Sequence, residues 1–129
     1  SDGDVSGALM VTQEKYNVDL FIGIGGGPEG VLAASAIDAF NCKFQGRFIF
    51  SSDKDISRAK KMGIKDLKKK YELKEIVKGD SIFCATGITT GELVKGIKVE
   101  GNKFTTETFV THKSSNMSEI FISEDTIKT

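Results

Sequence analysis

Gly23-Ile24-Gly25-Gly26-Gly27-Pro28-Glu29-Gly30 decides the fold, because it separates an apolar run from a helical pattern. Before it, Val18 to Gly23 reads as a short buried strand. After it, Val31, Leu32, Ala33, Ala34, Ala36, Ile37, Ala39 and Phe40 make a helix that is apolar nearly all round and should be buried. Pro28 suits its first turn, where a missing amide costs no intrahelical bond. A strand, a glycine turn and a helix in this order make one unit of an α/β layer.

Working outward, Val5, Ala8, Leu9 and Thr12 predict a helix over residues 4–14. Phe44, Gly46, Phe48 and Phe50 alternate with Gln45, Arg47 and Ile49, the period of a strand with one face in a core. Residues 53–63 and 66–77 carry helical spacing, and Ser81 to Ala85 reads as a fully apolar strand. A second glycine turn follows, Thr86-Gly87-Ile88-Thr89-Thr90-Gly91, with a short helical segment expected at Glu92 to Lys95. Phe104 to His112, a turn at Lys113 to Asn116 and a return strand at Met117 to Ser123 predict a hairpin. The expected architecture is α/β: one layered domain over residues 1–129, with a mixed β-sheet flanked by helices and a carboxy-terminal antiparallel hairpin.

The 129 residues suffice for one core, and 39% of them are hydrophobic. No run approaches the roughly 18 apolar residues of a membrane span, and Ser1-Asp2-Gly3-Asp4 has no signal-peptide character, so a cytoplasmic protein without a membrane partner is expected. The first methionine is Met10, inside a patterned segment, which predicts a truncated chain. Eighteen basic and 18 acidic residues cancel, and no field recommends nucleic acid as a partner. Between Asp53 and Lys78 ten basic residues face five acidic ones, with apolar residues at helical spacing between them, as on a solvated helix face. Cys42 and Cys84 share no metal-ligand spacing and are expected to be buried, reduced thiols. His112, the single histidine, is expected on the surface near a strand end.

The chemistry concentrates in the turns. Glycines at Gly23–Gly30 let backbone approach a ligand, and the amides and dipole of the following helix favour a phosphate. Glu29 in the first helical turn either complements that dipole or holds a hard cation beside the anion. Gly25 and Gly27 fit G-x-G, but Gln45 and Arg47 stand where a dinucleotide site wants an acid, and no Lys-Ser/Thr follows as in a P-loop. Asp2 and Asp4 exceed what one helix cap needs, and carboxylates at a strand's carboxyl end can accept hydrogen bonds from sugar hydroxyls.

Asp2-Gly3-Asp4-Val5-Ser6-Gly7-Ala8, Gly23 through Val31, Gln45-Gly46-Arg47, Ala85-Thr86-Gly87-Ile88-Thr89 and Thr105-Thr106-Glu107-Thr108 together resemble, in order, the motifs of class II fructose-1,6-bisphosphatases. Thr90 and Glu92 depart from the aspartates expected there, and Phe44 from a common methionine. The resemblance implies a lithium-sensitive, metal-dependent phosphatase in which a metal-activated water attacks the 1-phosphate of a sugar bisphosphate. It implies that Asp2, Gly3 and Asp4 contact the sugar, that Gly26 approaches substrate through its backbone, and that Glu29 binds Mn²⁺ or Mg²⁺. The catalytic residues are then expected in an amino-terminal part outside these 129 residues, and a homo-oligomer is expected. A non-catalytic sugar-phosphate or nucleotide-binding module, and a structural dimerisation domain, are the alternatives.

Overall fold

The computed structural model describes residues 4–127. Helix α1 (Asp4–Met10) is followed by a 3-10 turn, Glu14–Tyr16, that ends on left-handed Asn17. Helix α2 (Gly27–Ile37) starts behind Gly26 with Pro28 in its first turn and tightens into a 3-10 turn, Asp38–Phe40. Strand β1 (Gln45–Gly46) and helix α3 (Asp53–Lys61) come next. Ser52 caps α3 by accepting the Asp55 amide at 3.2 Å, and Arg58, Lys60 and Lys61 complement its carboxyl end. Strand β2 (Tyr71–Glu72) leads into the short α4 (Leu73–Ile76), held by a capping box between Glu72 and Glu75. Strands β3 (Ile82–Thr86), β4 (Lys98–Glu100), β5 (Lys103–His112) and β6 (Met117–Thr126) complete the chain.

Strand β5 is the spine of the main sheet. Its two ends pair with β3 and β4 along one edge, and β6 runs along the other for its whole length. A separate ribbon joins β1 to β2. Ala8 and Leu9 of α1 and Ala33, Ala36 and Ile37 of α2 pack with Phe83 and Phe109 into the core. Phe40 stacks on Phe109 with ring centres 6.5 Å apart. Small residues on α1 and α2 let both helices lie close to the sheet, and each fully buried large side chain such as Leu9 contributes about 1.5–3 kcal/mol.

The α/β layering and the carboxy-terminal hairpin agree with the sequence reading, and α2 and α3 fall where the period places them. Every pairing among the described strands is antiparallel. The parallel component is missing because Val18 to Gly23 does not form the expected strand. Val18 is half-buried and Phe21 lays its ring against Gly7 of α1 while staying partly exposed, and Leu20, Ile22 and Ile24 are exposed. The run is extended in composition only, with no neighbouring strand among the described residues to receive its hydrogen bonds.

Other expectations fail for local reasons. The helix at 4–14 stops at Met10, where Thr12 turns its amide and hydroxyl onto the Leu9 carbonyl. The strand over 44–50 is reduced to Gln45–Gly46, and the helix over 66–77 to α4, because Tyr71 and Glu72 pair with those two residues. The helix expected at Glu92 to Lys95 is absent, its backbone being committed to a closed loop. Helix α2 is buried on one face only, with Val31 and Leu32 half exposed. Strand β3 alternates too: Phe83 is buried, Ile82 and Cys84 are exposed. Cys84 is therefore not the buried thiol expected, whereas Cys42 is half-buried and burial pushes its thiol up. No helix among the described residues is long and apolar enough to cross a membrane.

Candidate functional site

The amino end of α2 is built from Gly26, Gly27, Pro28 and Glu29. Gly26 is the N-cap in extended backbone (φ −66°, ψ 158°), and its carbonyl accepts the Gly30 amide at 3.0 Å. Glu29 folds back so that its carboxylate occupies the space a side chain at residue 26 would fill. Glycine at 26 leaves room for this placement of the flexible Glu29 side chain and is not there for an unusual backbone angle. A Cβ at Gly27 or Gly30 would meet nothing, so the backbone beside them is open to a ligand. Among the described residues the Glu29 carboxylate makes no hydrogen bond or ion pair, which leaves its charge beside the free amides of the helix start.

At the other end of α2, Asp38 accepts a hydrogen bond from Ser81 Oγ at 3.2 Å and pairs with Lys113 Nζ at 2.8 Å. Helix α2 thus runs against β3, its carboxyl end beside the start of that strand. The carboxyl end of α2 is thereby tied to the end of the sheet where β3 starts, and Thr86-Gly87 lies at the other end of that strand.

The loop leaving that end is closed on itself. Gly87 N–H donates to Glu107 O, Ile97 N–H to Ile88 O and Gly91 N–H to Val94 O, at 3.0, 3.1 and 3.0 Å. Thr86 and Thr108 share a hydroxyl hydrogen bond of 2.8 Å. Thr90 Oγ1 accepts the Gly96 amide at 3.0 Å, and Glu107 accepts the Lys95 amide at 2.9 Å. Tyr16 reaches over from the turn after α1, donating its hydroxyl to Glu92 O at 2.8 Å. Thr90, one of the departures noted in the sequence, thus has a structural task in this loop.

A family model described as bacterial fructose-1,6-bisphosphatase, glpX-encoded, matches residues 1–124. The chain belongs to this family. It is 40% identical to a fructose-1,6-bisphosphatase class 2 of Haemophilus influenzae, over 84% of this chain and 37% of that protein. It is 37% identical to a D-fructose 1,6-bisphosphatase class 2/sedoheptulose 1,7-bisphosphatase 2 of Acaryochloris marina, over 85% of this chain and 35% of that protein. A protein named D-fructose 1,6-bisphosphatase class 2/sedoheptulose 1,7-bisphosphatase from Trichodesmium erythraeum is 35% identical, over 89% of this chain and 37% of its own length. The chain spans about a third of the length of these relatives.

Within this bisphosphatase family member, Gly26 and Glu29 lie against one another at the start of α2. Asp2 and Gly3 lie outside the described residues, and Asp4 enters as the first residue of α1 with its side chain outside them too. Among the described residues no group of three or more His, Cys, Asp or Glu side chains could hold a metal ion. A hard cation wants six or more oxygen ligands, several of them from water or substrate. Glu29 offers one, so these residues do not make a metal site by themselves.

The sequence reading missed a polar cluster at the opposite end of the sheet. His112 Nε2 lies 2.8 Å from Asp80 Oδ2, and its Nδ1 lies 2.8 Å from Ser115 Oγ. Asp80 also accepts the Ser114 hydroxyl at 2.8 Å and the Ser114 amide at 3.0 Å. The bonds from Ser114 and then His112 hold the Asp80 carboxyl down at about 2. His112 is near a strand end as expected, and the cluster clamps the β5–β6 turn to the start of β3. Only the register of β3 on β5 could have revealed it, since Asp80 and His112 are 32 residues apart.

Proposed function

We propose that this chain is the carboxy-terminal, substrate-facing part of a longer enzyme that hydrolyses fructose 1,6-bisphosphate to fructose 6-phosphate and phosphate, in carbohydrate metabolism and gluconeogenesis. Sedoheptulose 1,7-bisphosphate is a second substrate of the same kind, in line with the names of the Acaryochloris marina and Trichodesmium erythraeum relatives. The observation that carries this reading, beside family membership, is the Glu29 carboxylate packed over Gly26 at the start of α2. There the helix dipole and open glycine backbone suit a phosphate, and a carboxylate with no partner among the described residues suits a cation beside it.

In this reading Asp2, Gly3 and Asp4 hold the sugar hydroxyls, and Gly26 lets its backbone approach the substrate. Glu29 supplies one oxygen to a Mn²⁺ or Mg²⁺ ion whose other ligands come from outside the described residues. The enzyme is cytoplasmic and homo-oligomeric. The 129 residues alone lack the remaining ligands and are inactive.

Glu29→Gln in the full-length enzyme tests this. Glutamine changes the dipole interaction by only about 0.3–1 kcal/mol. If Glu29 holds a cation at the reacting phosphate, turnover falls at least about a hundredfold, roughly 2.7 kcal/mol, with part of the loss regained at high Mn²⁺. Near-normal kinetics at low metal, with unchanged circular dichroism, would reduce Glu29 to a helix-start residue and favour a binding module.

A further inference from the structure

The polar cluster around His112 fixes which ring nitrogen carries the proton. The Asp80 carboxyl, held down at about 2, is ionised at neutral pH and can only accept hydrogen bonds. Its Oδ2 lies 2.8 Å from His112 Nε2, so in the neutral imidazole Nε2 bears the proton and donates it. Nδ1 is left with its lone pair, and the Ser115 hydroxyl, 2.8 Å away, donates to it. Ser114 stands at the other nitrogen: its Oγ donates to Asp80 Oδ2 at 2.8 Å and lies 2.9 Å from Nε2, and its amide donates to Asp80 Oδ1 at 3.0 Å. The Ser81 amide reaches the same Oδ1 at 3.0 Å, so two segments of chain hold the carboxylate in place.

A hydroxyl on a basic nitrogen, with that imidazole oriented by a carboxylate at its other nitrogen, is the arrangement that activates a serine nucleophile. Ser115 has it. Ser114 does not, because its hydroxyl donates to a carboxylate that is too weak a base to take the proton. Ser57 and Ser118 are exposed too, but among the described residues their hydroxyls have no basic partner. Ser115 is itself exposed, so a small electrophile can reach it, whereas the His112 side chain is 27% exposed and bonded at both nitrogens.

We propose that Ser115 is a nucleophilic serine and a site of covalent acylation by small activated acyl esters, with His112 as its base and Asp80 as the residue that positions the base. Ser115 Oγ forms a bond to the acyl carbon as the ester C–O bond breaks. The hydroxyl proton passes to His112 Nδ1 and from there to the departing oxygen, so the products are acyl-Ser115 and an alcohol or phenol, with no change of oxidation state. The site uses none of the residues placed in the phosphatase reading and stands or falls without it.

The chain is treated with p-nitrophenyl acetate at neutral pH, and acetyl groups are mapped by peptide mass against time. We expect acetylation of Ser115 at least about a hundredfold faster than of Ser118 or Ser57, the low end of what a positioned general base supplies. His112→Gln should bring Ser115 down to the rate of Ser118, and Asp80→Asn should slow it at least about tenfold, each with unchanged circular dichroism. Long-range proton–nitrogen spectra of the native imidazole should place its proton on Nε2, which a merely structural serine at position 115 would not turn into reactivity. Equal rates at Ser115 and Ser118 in the native chain overturn the proposal even if a variant fails to fold. So do a proton on Nδ1, acetylation at Ser114 in place of Ser115, and an unchanged Ser115 rate in folded His112→Gln.

Discussion

The ammonium of Lys113 lies 2.8 Å from the Asp38 carboxylate, whose side chain is only 5% exposed. This one pair fastens the end of α2 to the turn between β5 and β6, and Ser81 completes it from the start of β3. Removing one member of a buried pair leaves an uncompensated charge, whereas replacing both with apolar groups is often neutral. Lys113→Ala is expected to cost about 3 kcal/mol in urea unfolding. The double replacement Lys113→Met with Asp38→Leu should recover most of it, and no recovery would show that the pair does more than neutralise Asp38.

Asp80 makes the clamp acid-sensitive. Its carboxyl sits at about 2 in the folded protein against an ordinary 3.8. The ionised form therefore stabilises the fold above pH 4, and that contribution is lost as the pH falls from about 4 toward 2. Thermal melts should decline over this window in the native sequence. Asp80→Asn should melt lower at pH 6 and decline less between pH 4 and 2; parallel curves would remove Asp80 from the linkage.

Gly87 and Gly96 set how tightly the loop after β3 can close. A Cβ at Gly96 would stand 2.6 Å from Thr90 N, and one at Gly87 would press on the backbone of Lys95. Backbone cannot yield as a flexible side chain does, so Gly96→Ala should cost about 1–3 kcal/mol. Increased amide exchange at Gly91 and Ile97, whose hydrogen bonds close the loop, is the expected local sign.

Leu20 and Ile22 are 72% and 83% exposed. Leu20→Lys with Ile22→Lys should change stability by less than about 0.5 kcal/mol for each site, because little burial is lost. Self-association of the chain in sedimentation should fall. A large loss of stability would mean that the segment is packed in solution.

What could be read from sequence followed the range of the interactions involved. Helices α2 and α3 and the hairpin are set by local period, by Pro28 and Ser52 at helix starts, and by the turn before Met117. Gly26 and Glu29 are three residues apart, so one helical turn brings them together. The short pairing of Gln45–Gly46 with Tyr71–Glu72 was illegible, because nothing local shows that residue 71 will find a strand rather than continue a helix. Asp80 with His112 and Asp38 with Lys113 were hidden for the same reason. The apolar run at Val18 to Gly23 was read as a buried strand and forms none, since apolar composition shows what can be buried but not which neighbour will pair with it.

The β5–β6 hairpin pairs ten residues with ten through a turn that left-handed Asn116 helps to close. Most of its contacts link residues close in the chain, whereas β3 must find β5 across an intervening loop. Low loop-closure cost makes such a hairpin a natural early structure in folding, with the attachment of β3 and α2 later. Lys113 and Ser114, carried in the hairpin's turn, would then act as a landing site that captures Asp38 and Asp80 as those segments arrive. Pulse-labelled hydrogen exchange should protect Val110 and Glu119 amides before those of Phe83 and Ala85, and the reverse order would place the nucleus in the helical layer.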